Sequence, residues 1–368
     1  MASKKEIPSE VTGGSVVTYA AVDKVVECVL ESPKESRYAG GTYVRWGEKN
    51  TYPQFLDNLF RNAPTLRSVI LGTVDYVTGN AVNATRGLQG SFVDRRRTTW
   101  QKFIKKTAQS VAEWGGYAWK VTRSRDNTAV VELEVLPLKF LRTDEDTASF
   151  WYNEKWGTSN ANVTQYPAWV PGTLAPESVY FVKLWGDETY PEPVYAASVK
   201  EAAAEMAIAD FHVGNLERGF MGSYIINLCN GVVTNDKQKA ENERGLNEKF
   251  AGHRNAGRIM INYCTDAAHR AILEKMEVAD YGDKYETLSK HCRQQIFTAF
   301  RANPNLFGVA TESNGFNSEE FESSFKLFNR TMIQPIQQEI IDGLEAILEP
   351  GIISIEPFTL DGVQKEVE

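Results

Sequence analysis

IFTAFRANPNLFGV, residues 296–309, decides how the C-terminal third of this chain folds. An amphipathic helix runs into Asn303-Pro304, passes Leu306-Phe307-Gly308, and gives way to the polar stretch ATESNGFNSEE. At about 100° per residue, Tyr285, Leu288, Cys292, Ile296 and Ala299 share one side of a helix over 283–302. Lys290, Gln294 and Arg301 fall on the opposite side. A second helix is predicted over 317–348. Asn317 is placed to cap it with Glu320 as the reciprocal partner, and Phe316 and Phe321 fit a hydrophobic staple. Phe325, Phe328 and Met332 continue its apolar face, Pro335 predicts a kink, and Ile336, Ile340, Leu344 and Ile347 resume the face beyond. The loop 303–316 is thus held between two well-specified helix ends, with Thr311, Glu312, Ser313, Asn314 and Gly315 at its polar tip.

Upstream of this break lies ASVKEAAAEMAIADFHVGNLERGF, one long Ala-rich helix. SYIINLC and RIMINYC read as strands around a polar helix at DKQKAENERGLNEKFAG, a small α/β insert. Earlier still, Gly47, Asn50 and Pro53 mark a turn, and QFLDNLF a short helix. Pro64 opens the next helix and Gly79 stops it. A third helix is expected from about Asp94 to Trp114, ending at Gly115-Gly116. YAWKVT and AVVELEVL form a β-hairpin about Ser124-Arg125-Asp126-Asn127. FWY at 150–152 and VYFVKLW at 179–185 are expected in the same sheet, with a surface excursion between them. VVTYAAVDKVVECVLES reads as a strand and a short helix, PGIISIEPFTL as a closing strand.

The 368 residues are 42% hydrophobic and 24% charged, a globular composition that argues against extensive disorder. The net charge of −8 argues against broad nonspecific binding to a nucleic-acid backbone, which needs clustered cations. It does not argue against a conduit that lets nucleic acid pass. MASKKEIPSE is not a secretory signal, and no apolar run reaches a membrane span of roughly 18 to 20 residues, so a soluble intracellular chain is expected. Cys28, Cys229, Cys264 and Cys292 are far apart and expected to be reduced and buried.

Catalytic patterns are missing from the sequence. His212, His253, His269 and His291 form no HExxH and adjoin no cysteine pair. There is no phosphate-binding glycine loop, no dinucleotide fingerprint and no GxSxG elbow. Asp144, Glu145 and Asp146 form a small acidic cluster of the kind that two-metal nucleases use, and a charged turn between strands explains them more simply. No metal, cofactor or catalytic residue is therefore expected.

The order of parts runs from the Ala-rich helix through the α/β insert, the second helix, NPNLFG and the polar loop to the proline-kinked helix. That order resembles the portal proteins of tailed bacteriophages, of the broad HK97-like and SPP1-like type. WGEKNTYPQFLDNLFRNAPT followed by a helix ending VTGNA resembles the opening of portals of phages with Bacteroidetes-type hosts, and VLPLKFLRTD and RTMIQPIQQEII also fit the portal resemblance. The resemblance implies an α+β portal-like fold: a flexible arm at 1–15, a wing at 16–195, stem helices at 196–219 and 283–302, a clip at 220–282, a tunnel loop at 303–317, a kinked wing helix and closing strand at 318–358, and a tail at 359–368. A large C-terminal crown is expected to be absent. It implies a homo-oligomeric ring, usually a dodecamer, at one capsid vertex of the virion, assembled in the host cytoplasm. Double-stranded DNA would be packaged and ejected through it, with the terminase motor, a head–tail adaptor and the major capsid protein as partners. Ala202, Ala203, Ala204, Ala207 and Ala209 would let helices approach closely. Lys290, Arg293 and Arg301 would make occasional phosphate contacts. Asn303, Asn305, Asn314 and Asn317 would offer neutral hydrogen bonds, and Thr311, Glu312 and Ser313 would stand at the loop tip. The competing expectations are a carboxylate-dependent nucleic-acid enzyme using Asp144 and Asp146, or another phage ring such as an adaptor.

Overall fold

The computed structural model describes residues 17–18, 30–37, 43–84, 93–127, 129–156, 163–217, 224–228, 259–263, 281–309 and 318–359. In chain order the strands are β1 Val17–Thr18, β2 Ser36–Arg37, β3 Val44–Arg45, β4 Ala81–Ala84, β5 Gly116–Arg123, β6 Val130–Leu136, β7 Leu141–Thr143, β8 Ser149–Tyr152, β9 Thr164–Pro167, β10 Glu177–Lys183, β11 Tyr224–Leu228, β12 Ile259–Tyr263 and β13 Ile353–Glu356. The helices are α1 Tyr52–Asn62, α2 Pro64–Thr78, α3 Trp100–Trp114, α4 Val199–Glu217, α5 Tyr281–Ala299, α6 Ser318–Phe328 and α7 Gln334–Ile347. The class is α+β, as the sequence predicts.

The chain divides into two compact units, Met1–Cys28 with Ala207–Thr287, and Val29–Met206 with Leu288–Glu368. In the first, β11 and β12 pair in parallel, so the chain must cross over between them. The helix expected between them lies outside the described residues. β1 pairs antiparallel with β12, so this strand belongs with the insert and not with the segments that follow it in sequence.

The larger unit is built on the antiparallel sheet β10-β5-β6. Tyr117, Trp119 and Tyr180 stand on its inner face, where Trp119 donates its indole N–H to Thr107 on α3 and Tyr117 its hydroxyl to the Glu339 carbonyl on α7. Gly343 of α7 lies directly over these rings. A Cβ there would stand 2.3 Å from the Tyr117 hydroxyl oxygen, so only glycine lets helix and sheet meet. On the other face Phe181 meets Phe150 of a second sheet, β7-β8-β9. This corrects the expectation for FWY 150–152, which shares no sheet with 179–185. Alternation predicts a strand but not its partner. The stretch expected as a surface excursion is also partly interior: Trp156 is buried and donates to the Phe140 carbonyl.

The third helix begins at Trp100, later than expected. Asp94 caps a turn instead: its carboxylate accepts from the Thr98 amide at 2.9 Å and hydroxyl at 2.7 Å, and Thr99 then caps α3. Such side-chain bonds compete with helix initiation. The start of α2 shows the opposite case. Ala63 offers it no side-chain cap, and Glu205 of α4 fills the role by accepting from the Thr65 amide and hydroxyl. Helix amides lacking partners favour such a carboxylate. Strand β4 pairs with the closing strand β13, a partnership that no local pattern in the sequence predicts.

WGEKNTYP folds into a buried knot. Gly47 and Asn50 both take positive φ, at 85° and 60°. The Asn50 side chain accepts from the Trp46 amide and from Arg142, and Arg142 also donates to the Asn50, Leu141 and Lys139 carbonyls. Burial pushes the Arg142 guanidinium down to about 10, which leaves it charged at neutral pH. Its nearest faces are the Trp46 and Trp156 rings, and Trp46 stacks on Tyr190 at 4.5 Å. The phrase is structural: it supplies acceptors to a charge that has no water.

Candidate functional site

The break after α5 is two helix stops in succession. At the first, the Ala302 amide donates to the Phe297 carbonyl and the Arg301 amide to the Thr298 carbonyl, both at 3.0 Å, with Arg301 at φ 54°. This is a Schellman closure, and its left-handed residue is ordinarily glycine. At the second, the Val309 amide donates to Pro304 at 3.2 Å and the Gly308 amide to Asn305 at 3.3 Å, with Gly308 at φ 74°. The same pattern thus closes the helix with an arginine and the following 3-10 turn, Pro304–Phe307, with a glycine.

Between the stops, NPNLF is docked into the larger unit. The Asn303 amide oxygen accepts from the Asn305 N–H, and its nitrogen donates to Ser324 on α6 at 3.1 Å. Leu306 is buried, and its carbonyl accepts from the Tyr76 hydroxyl at 2.8 Å. The Phe307 ring lies over Gly72 of α2, where a Cβ would come within 2.6 Å of it. Tyr76, Phe297 and Phe328 surround it with centroids at 5.7 to 6.1 Å. Phe325 and Phe358 extend the cluster through Tyr76. Desolvation pushes the Tyr76 phenol up, so it stays a neutral donor.

The residues expected to touch a passing polyanion fall into three groups. Lys290, Arg293 and Arg301 are exposed. Asn303 and Asn305 are half-buried, and the Asn303 side chain is committed to holding the turn. Thr311, Glu312, Ser313, Asn314 and Asn317 lie outside the described residues; Glu320, the expected partner of Asn317 in the capping box, stands in the first turn of α6. On α5, Cys292 and Ile296 are buried as the periodicity predicts, joined by Phe297, but Leu288 is 42% exposed. Gly72 and Tyr76, which receive Leu306 and Phe307, are not singled out by any sequence signal. They lie some 230 residues away, and no local pattern links them to the break.

Around the start of α4, Ser198 donates to the Gln295 carbonyl of α5 at 3.1 Å and Tyr195 stacks on Phe300 at 5.6 Å. In the other unit, Phe211 of α4 stacks near Tyr285 of α5 at 4.8 Å. Asp144 accepts from the Ala148 and Ser149 amides, which makes 144–148 a turn. Among the described residues no group of three or more His, Cys, Asp or Glu is placed to hold a metal ion. No helix among them is long and apolar enough to cross a membrane.

No family model matches the chain. No curated protein matches it either. Solved structures do. A chain in the neck of a native gene transfer agent particle, a structure computed with C12 symmetry, is 18% identical at TM-score 0.53, over 85% of this chain and 86% of that one. A chain in the virion of the native particle is 17% identical at TM-score 0.52, over 84% of each. An HK97 family phage portal protein from Corynebacterium diphtheriae is 13% identical over 79% of this chain and 90% of that one, at TM-score 0.39, a level that carries no weight. The chain therefore has the fold of a virion neck component along nearly its whole length.

Proposed function

We propose that this chain is a portal-type subunit: a nonenzymatic protein that forms a ring at one vertex of a virion and lets double-stranded DNA pass through its centre. The observation that carries the reading is the likeness of 85% of the chain to a neck component in a structure of twelvefold symmetry. The order of parts in the sequence, read independently, supports it. On this reading residues 196–219 and 283–302, which hold α4 and α5, are the stem, residues 220–282 are the clip that docks the terminase motor and later the head–tail adaptor, and residues 16–195 with the kinked C-terminal helix are the wing that meets the major capsid protein. Exposed Phe211 and Val213 on α4, Leu288 on α5 and Leu327 on α6 are apolar side chains that subunit contacts would cover.

Lys290, Arg293 and Arg301 then face DNA in transit. Few cations suit that task, since each neutralised phosphate adds affinity and a conduit must release. The docked part of the expected tunnel loop ends at Gly308, because Leu306 and Phe307 are docked and Asn303 is a post for the turn. A Cβ at Gly308 would meet nothing within 4 Å.

Negative-stain microscopy and native mass of the full chain test the reading. Rings of about twelve subunits with an open centre are expected, and a compact closed dimer would overturn it. Deleting 308–315 should leave rings intact and impair DNA packaging or retention in reconstituted particles.

A further inference from the structure

Six cations fall within twelve residues at 95–106, in a chain whose net charge is −8: Arg95, Arg96, Arg97, Lys102, Lys105 and Lys106. The structure gathers them on one scaffold. Asp94–Arg97 is a tight turn closed by the Arg97 amide on the Asp94 carbonyl at 3.1 Å and by the Val93 amide on the Thr98 carbonyl at 2.9 Å. The Leu133 amide donates to the Val93 carbonyl and ties the turn to β6. Arg97 sits at φ 61°. Three arginines therefore occupy the tip of a turn fixed from both sides. Lys102, Lys105 and Lys106 follow at helical spacing on the exposed face of α3, whose other face is interior.

Anions compete for this surface weakly. Arg95 and Arg96 approach Glu132 and Glu134 at 3.4 Å, yet their side chains are 85% and 83% exposed. Lys105 pairs with Asp75 at 2.7 Å, also in the open. Such pairs are worth little and exchange readily for a better anion. The Asp94 carboxylate is turned inward onto Thr98.

We propose that this surface binds the phosphate backbone of duplex nucleic acid, as a site on the wing separate from the stem. Cations alone would suit an acidic protein segment as well. Protein partners, however, are anchored by apolar or aromatic side chains seated in pockets, and the turn and α3 expose none: Val93, Trp100, Phe103 and Ile104 are all buried. Val131, beside Glu132 on β6, is exposed where the β5–β6 register shifts, a single small apolar side chain rather than an anchor seated in a pocket. Among the described residues the patch has charge and no aromatic or pocket-seated anchor, which matches phosphate-backbone binding, electrostatic and indifferent to sequence.

The test is fluorescence anisotropy of a labelled 20-base-pair duplex with the full chain between 25 and 200 mM salt. Two variants are compared, Arg95→Gln/Arg96→Gln/Arg97→Gln and Lys102→Gln/Lys105→Gln/Lys106→Gln, with the exposed Lys34→Gln/Lys49→Gln as control. Each triple variant is expected to bind at least about tenfold more weakly at 50 mM salt, with a log–log salt slope shallower by about 2 to 3, near 0.9 for each phosphate no longer neutralised. The control should match wild type. Among the described residues the lysine variant disturbs one ion pair, Lys105 with Asp75, so it remains informative if the arginine variant folds poorly. Wild-type-like binding by both triples overturns the proposal, as does failure of the wild type to bind at 25 mM salt. Tighter binding of an Asp/Glu-rich 20-residue peptide than of the duplex would reassign the surface to an acidic protein partner. Native mass of the same samples keeps the two readings apart: loss of rings with patch-dependent binding sinks the portal reading alone, and rings with patch-independent binding sink this one alone.

Discussion

Pro304 and Pro335 both follow a long helical run, and the chain treats the two oppositely. At Asn303-Pro304 the helix has already closed on Arg301, the proline opens a new 3-10 turn, and the chain is redirected. At Pro335 the helix continues. The residues before it, Asn329–Ile333, widen into a π-helical turn in which the Gln334 amide reaches the Asn329 carbonyl. That one-residue widening makes room for the ring and its missing N–H. It also lets Met332 and Ile333, adjacent in sequence, both be buried. A proline thus starts a new turn where a left-handed residue has already closed the helix, and is absorbed where the helix widens before it.

Changing four residues would break or sharpen this contrast. Phe307→Ala should have the largest effect, about 2–4 kcal/mol of stability, because the ring fills the space over Gly72 and orders the redirected segment. Denaturant unfolding measures it. A loss below about 1 kcal/mol would mean that NPNLF is merely laid on the surface. Asn303→Ala removes both the cap of the 3-10 turn and the tie to Ser324, and should lose about 1 kcal/mol by the same measurement.

Arg301→Gly should go the other way. It places the residue the closure favours at φ 54° and should gain up to about 1 kcal/mol. If the arginine serves a polyanion in the channel, this more stable variant should nonetheless package DNA less well. A gain in stability with unchanged packaging would leave Arg301 without a role. Pro335→Ala is expected to change stability least, within about 1 kcal/mol, with the π turn retained in a crystal structure of the variant. Reversion to a regular helix would show that the proline, and not the burial of Met332 and Ile333, makes the turn.

Local signals found most of the helices here. Proline at the first position of α2, glycine at its end, and the hairpin turn at Asn127 (φ 58°) each act over a few residues. The same directness misled at Asp94, where an Asx-type turn competes with helix initiation and wins. At the candidate site, periodicity located the end of α5, its exposed cations and its buried Cys292 and Ile296. It misjudged Leu288, whose position on the apolar side does not guarantee a neighbour to cover it. Arg301 was legible as a cation but not as a left-handed residue in a glycine position, because the sequence does not show which closure the helix adopts.

The sequence by itself determined where the chain turns, which faces of its helices are apolar, and that the class is α+β, because these follow from backbone stereochemistry and side-chain period. Only the tertiary structure decided which strand joins which sheet, that Glu205 caps α2, that Arg142 lies sealed against Asn50 and two tryptophans, and that Phe307 is docked over Gly72. Those outcomes depend on groups as much as some 230 residues apart in the chain, and complementarity in space leaves no periodic trace in either partner.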